Sequence, residues 1–268
     1  MTAQPALDPA ILHFYQSRYS EDGRLRRTAH GQLEYLRTRE LLERYLPADG
    51  GRVLDIGGAT GVHARWLAES GYEVQLLDPV PSHVELAGAI TGVTATVGDA
   101  RALPFADAES DATLLLGPLY HLTDPAERAL ALREAVRVTR PGGLVAVAAI
   151  SRYAGLLELA AIGGIDDAAE SELVAALRTG INHDDPAGFT NAYFHLPDEL
   201  ADELGTAGLG GVTVFGVEGP STPALDQVPL AELARVLPSA LRSARLLECD
   251  PLLIAASPHL LAVGRVLA

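Results

Sequence analysis

The segment Val53-Leu54-Asp55-Ile56-Gly57-Gly58-Ala59-Thr60-Gly61 has the makings of a ligand-binding turn. A short apolar strand carries an acid near its end, and a glycine turn then leads into a helix. Glycine lets the backbone bend sharply and lets a ligand lie against it, and a helix N-terminus offers unpaired N–H groups. A dinucleotide site prefers G-x-G-x-x-G, a spacing that Ala59 breaks, so a dehydrogenase reading fails. There is no G-x-x-x-x-G-K-[ST] either, which excludes a P-loop. Two more acids fall where a nucleoside would need them. Asp78, in Leu76-Leu77-Asp78-Pro79, can accept from both ribose hydroxyls. Asp99, in Val97-Gly98-Asp99-Ala100-Arg101, can accept from an adenine amino group, with Leu103 or Pro79 over the ring.

The elements that must position these acids can be read from the apolar rhythm. Residues 8–22 and 28–46 read as helices, the second ended by Pro47, Gly50 and Gly51. Strands follow at 52–56, 73–77, 93–97, 112–116 and 144–150, with helices at 62–70, 81–89 and 126–139. Such alternation predicts an α/β fold, a mostly parallel sheet with helices on both faces. After Ser151 the rhythm changes. Residues 152–195 read as an inserted cap, and 196–268 as the completion of the sheet by strands at 212–217 and 259–266. The expected organisation is an N-terminal helical lid (1–46), a ligand-binding core (47–151), the cap, and the C-terminal completion.

Composition narrows the function classes. The chain has 268 residues, 48% of them hydrophobic, enough for a sizeable core. Its net charge is -15, and all 20 of its bases are arginine. An acidic surface argues against nucleic acid and anionic membranes as partners. The single cysteine, Cys249, allows no internal disulfide and suggests a cytoplasmic protein. The N-terminus shows no signal pattern. His183-Asp184-Asp185 offers hard ligands but reads as a solvated turn, so no metal is expected.

The ordered set of Asp55, Gly57, Gly61, Asp78, Asp99 and the Arg140-Pro141-Gly142-Gly143 turn resembles class I S-adenosylmethionine-dependent methyltransferases. The resemblance is strongest to bacterial small-molecule enzymes of the ubiquinone/menaquinone type, and residues 52–150 carry it. It implies a Rossmann-like, seven-stranded sheet. It also implies that Gly57, Gly58 and Gly61 approach the methionine part of the cofactor, that Asp55 organises their loop, and that Asp78 and Pro79 hold the nucleoside. Asp99 and the Ala100 N–H would read the adenine, and Leu116 and Gly117 would lie beneath the sulfonium.

Ligands of open α/β sheets lie beyond the carboxyl ends of the strands, so Gly117-Pro118-Leu119-Tyr120-His121-Leu122 should border the transferred methyl group. It is not the Asp/Asn-Pro-Pro-Tyr of enzymes that methylate nucleic-acid amines. His121 is the first candidate for a general base, since imidazole titrates near working pH. Tyr19 is a second catalytic candidate, on a helix that in related enzymes closes over the cofactor. Tyr15, Tyr120, Phe189, Tyr193 and His195 are candidates for the substrate wall. The expected activity is methyl transfer to an O, N or C nucleophile of a small molecule, a secondary metabolite of natural-product biosynthesis, by a monomer or homodimer. The alternative is a protein of this fold that binds the cofactor without transferring methyl, as a cyclase or a regulatory binder.

Overall fold

The computed structural model describes residues 23, 25, 28–184 and 189–268. The expected helix at 8–22 lies outside them. The second expected helix is α1 (Ala29–Glu43), whose first turn is capped by the Thr28 hydroxyl accepting the Gly31 N–H at 3.0 Å. Strand and helix then alternate as β1 (Arg52–Ile56), α2 (Val62–Glu69), β2 (Glu73–Asp78), α3 (Pro81–Gly88), β3 (Val93–Val97) and β4 (Ser110–Leu115). A four-residue helix α4 (Pro118–His121) precedes α5 (Pro125–Val138) and β5 (Thr139–Ser151). Asp124 starts α5 with an accepted Ala126 N–H at 2.8 Å, and Pro125 sits in its first turn.

The cap region holds α6 (Ala154–Ile162), α7 (Asp167–Thr179), β6 (Ile181–Asn182) and β7 (Ala192–His195). The chain finishes with α8 (Pro197–Thr206), β8 (Leu209–Gly216), α9 (Thr222–Leu225), α10 (Leu233–Leu247) and β9 (His259–Val266). Among the described residues no helix is long and apolar enough to cross a membrane.

The sheet runs β3-β2-β1-β4-β5, all parallel, and continues through antiparallel β9 to β8. That path has the seven strands expected, but the whole sheet has nine. The extra two are β6 and β7, which form an antiparallel ribbon as the cap returns and join the end of β5 at Ile150 and Ser151. They are too short to show an alternating pattern, which is why the sequence reads there only as cap.

Side chains alternate across the strands and so fill two cores. Val53, Ala112, Leu144, Ala146, Leu261 and Val263 face α1, α2 and α3. Leu54, Leu115, Val145, Val147, Leu260 and Ala262 face α5 and α8. Covering both faces is what a parallel sheet requires, and it leaves the carboxyl edge of the strands as the place where a pocket can open.

Candidate active site

β1, β2 and β4 stop level with one another, with Ile56 beside Leu77 and Leu115. The turns that follow them therefore converge on one cavity. Asp55, Gly57, Gly58 and Ala59 line it from the first turn, and Asp78 and Pro79 from the second. Asp99 and Ala100 reach it after β3, and Leu116, Gly117, Tyr120 and His121 after β4. Gly61 does not line it. It enters α2 at φ 84°, and a Cβ there would stand 2.6 Å from Ile90 Cδ1, so its place is that of a turn and packing glycine.

Asp78 braces the first turn against the second. Its Oδ2 accepts the Ala59 N–H at 2.9 Å, and its Oδ1 accepts the Val80 N–H at 2.9 Å beside His83 Nδ1 at 3.2 Å. A carboxylate oxygen has two acceptor sites, so Oδ2 keeps capacity for a ribose hydroxyl. Asp99 is held in a two-point pair with Arg101, at 2.9 Å from Nε and 2.7 Å from Nη2, and Arg101 pairs in turn with Glu127. Its Oδ2 likewise keeps acceptor capacity.

Asp55 is almost wholly buried. Burial, reinforced by the Asp78 charge, pushes its carboxyl up to about 7, against a weaker opposing pull from the Ala64 N–H. Glu34, Asp55, Asp78 and Asp99 all line the cavity, and no arginine does among the described residues. Such a cavity disfavours phosphate and favours a guest that carries positive charge. A nucleoside with a sulfonium and an ammonium group meets that description, and the donor set therefore fits S-adenosylmethionine.

His121 ends α4, where burial pushes its imidazole down to about 4 despite smaller opposing influences from the Asn191 backbone and Asp78. Tyr120 meets it edge-on at 4.6 Å between ring centroids. Phe189 stacks on His121 at 5.8 Å and lies 6.2 Å from Tyr120, so it backs these two rings and is not itself part of the lining.

Tyr193 and His195, expected in the substrate wall, lie off the cavity. The Arg128 guanidinium covers the Tyr193 ring at 3.7 Å from its centroid, and His195 is wholly buried with Nε2 3.4 Å from Glu203. β7 alternates its side chains, and these two point into the seam between cap and core. Tyr15 and Tyr19 fall outside the described residues.

Several lining groups were not legible in the sequence: Glu34, His63, His83 and His259. Glu34 sits in a helix whose pattern speaks only of packing. His259 carried a usable signal. It opens an antiparallel final strand, and the start of such a strand lies at the same edge as the ends of the parallel ones.

Comparison with known proteins agrees with this geometry. Residues 53–143 match the family model of the methyltransferase domain. An uncharacterized methyltransferase of Mycobacterium tuberculosis is 38% identical over 105 residues, 39% of this chain and 42% of that protein. A demethylmenaquinone methyltransferase of Renibacterium salmoninarum is 36% identical over 103 residues, 38% of this chain and 42% of that one. The chain thus spans about two fifths of the length of the curated relatives it matches. Among solved structures, a SAM-dependent methyltransferase of Thermotoga maritima superposes with a TM-score of 0.60 at 20% identity, over 95% of this chain and 99% of that one. Over residues 53–143 the chain is thus similar to methyltransferase domains, and its fold is that of S-adenosylmethionine-dependent methyltransferases.

Replacing Asp78 by alanine is expected to weaken binding of S-adenosylhomocysteine by ~1–3 kcal/mol, through lost charged hydrogen bonds. Calorimetric titration measures this, and unchanged affinity would take Asp78 out of the site.

Proposed function

We propose that the protein transfers a methyl group from S-adenosylmethionine to an O, N or C nucleophile of a small molecule. The observation that carries this reading is the acid-lined cavity at the carboxyl edge of the sheet, with the glycine turn at one end and a neutral imidazole, His121, beyond the β4 turn. The cofactor supplies an activated methyl group, which leaves a sulfonium readily. The protein's own share is alignment, exclusion of water and management of the acceptor's proton.

Asp78 and Asp99 fix the nucleoside, and Gly57 and Gly58 allow close backbone approach. Asp55 and Asp78 favour the positive end of the cofactor. Leu116 and Gly117 form the floor, and Tyr120 and His121 face the acceptor. Burial keeps His121 uncharged across the working range, so its lone pair is available to the acceptor's O–H or N–H as transfer begins. The similarity to a demethylmenaquinone methyltransferase supports a ring-bearing acceptor, as do the aromatic groups Tyr120 and Phe189 beside the β4 turn.

The test has two parts. Calorimetric titration with S-adenosylhomocysteine should give one site per chain at micromolar affinity. Incubation of S-adenosylmethionine with ring-bearing phenols and amines should give a product heavier by one methyl group. Cofactor binding without any methylated product would favour a binder or cyclase. His121→Asn is expected to lower turnover ~100-fold while leaving S-adenosylhomocysteine affinity unchanged. Full turnover in this variant would make His121 structural.

A further inference from the structure

Another imidazole of the same cavity is built differently from His121. His259 opens β9 opposite Ile150 at the end of β5, and its Nδ1 lies 2.5 Å from Oε1 of Glu218. Glu218 follows β8 and is wholly buried. Its other oxygen accepts the Ser257 hydroxyl at 2.9 Å and the His259 N–H at 3.1 Å. The Ser257 oxygen itself accepts the N–H groups of Glu218 and Gly219 at 3.0 and 3.1 Å. The carboxylate is thereby fixed in position before any ligand arrives. Glu34 of α1 reaches to 3.6 Å from the same ring nitrogen and also lines the cavity.

A carboxylate only accepts hydrogen bonds, so Nδ1 is the protonated nitrogen of the neutral ring and Nε2 holds the lone pair. A fixed anion behind an imidazole sets its tautomer and stabilises the cation formed when Nε2 takes a proton. The three groups could also be read as ligands of one metal ion. The geometry argues otherwise, because nitrogen and oxygen at 2.5 Å share a hydrogen, whereas two ligands each ~2.0–2.2 Å from an ion stand farther apart. Glu218 also has its second oxygen fully used by Ser257 and the backbone.

Resting on the methyl-transfer reading, we propose that the Glu218–His259 pair is the terminal proton acceptor of the reaction, with Glu218 as its positioning residue. As the acceptor atom bonds the methyl carbon, the carbon–sulfur electron pair stays with sulfur and the acceptor's proton comes to rest on His259 Nε2. Glu218 and Glu34 compensate the imidazolium until that proton passes to water. His121 orients the acceptor through a hydrogen bond to its oxygen or nitrogen and keeps no proton, because its burial makes it a poor place for one to stay.

The test uses the full chain saturated with S-adenosylhomocysteine, so that absence of saturation reports on the cofactor reading alone. Long-range nitrogen–proton spectra of the labelled protein should show His259 as the Nδ1–H tautomer. Diethyl pyrocarbonate, which attacks the imidazole lone pair, should modify His259. Glu218→Gln should slow that modification ~10-fold, while Glu218→Asp restores much of it and the rate at His121 is unchanged. A saturated protein in which His259 is the Nε2–H tautomer, or is not modified, overturns the proposal, as does stoichiometric binding of zinc that Glu218→Gln abolishes.

Discussion

Gly57→Ala is expected to cost the protein at least ~100-fold in affinity for S-adenosylhomocysteine. Gly57 lies at φ 71°, in the left-handed region, and its N–H donates to the Leu77 carbonyl at 2.6 Å. A Cβ at this position would stand 2.5 Å from Cγ and 2.7 Å from Cδ of Pro118. The pyrrolidine ring cannot swing aside, and Pro118 starts the helix that carries Tyr120 and His121. The left-handed conformation costs a residue with a Cβ ~1–2 kcal/mol, and overpacking adds ~1–3 kcal/mol. The first and fourth turns must therefore move apart, and both border the cavity. Calorimetric titration of the variant, with circular dichroism to confirm that the sheet is formed, measures the effect. Affinity within threefold of the parent would show that the turn adapts and that its shape is not what holds the ligand.

Arg37→Met is expected to give the largest loss of stability, ~3–5 kcal/mol. Arg37 is a fully buried guanidinium on α1. Its Nε donates to the Val217 carbonyl at 3.2 Å, and its Nη2 to Glu248 at 2.5 Å. Its Nη1 pairs with Glu40 at 2.8 Å. Methionine would fill part of the space but leave the Val217 carbonyl and the carboxylates without that donor. Chemical denaturation of parent and variant reads the difference directly. The effect should reach the site as well, because α1 supplies Glu34 and Thr38 to the cavity and Val217 lines it beside them. A loss below ~1 kcal/mol would mean that Arg44, which also pairs with Glu248 at 2.6 Å, carries the connection by itself.

The part of the cavity built from the strand-end turns is legible because it is local. Strand, turn and acid follow one another within a few residues at Asp55–Gly58, Asp78–Pro79 and Asp99–Ala100, so type and spacing alone place these groups at strand ends. The succession of the parallel strands along the chain is equally legible, since each apolar run of the core is separated from the next by a helix or a turn. Gly61 belongs to the same motif, yet its side in the packing against Ile90 depends on where α3 lies, which no local pattern states.

The rest of the cavity wall was decided by tertiary structure. Phe189, Tyr193 and His195 fall within seven positions of one another, but the alternation of β7 and its pairing with β5 turn the latter two into the seam with Arg128 and Glu203. Glu34, Glu218 and His259 are scattered over more than two hundred positions and meet only because β9 runs antiparallel and brings its first residue to the ligand edge. Short-range chemistry is written in neighbouring residues. A wall assembled from α1, a loop after β8 and the start of the last strand exists only once the sheet has closed its order and α1 has docked on it.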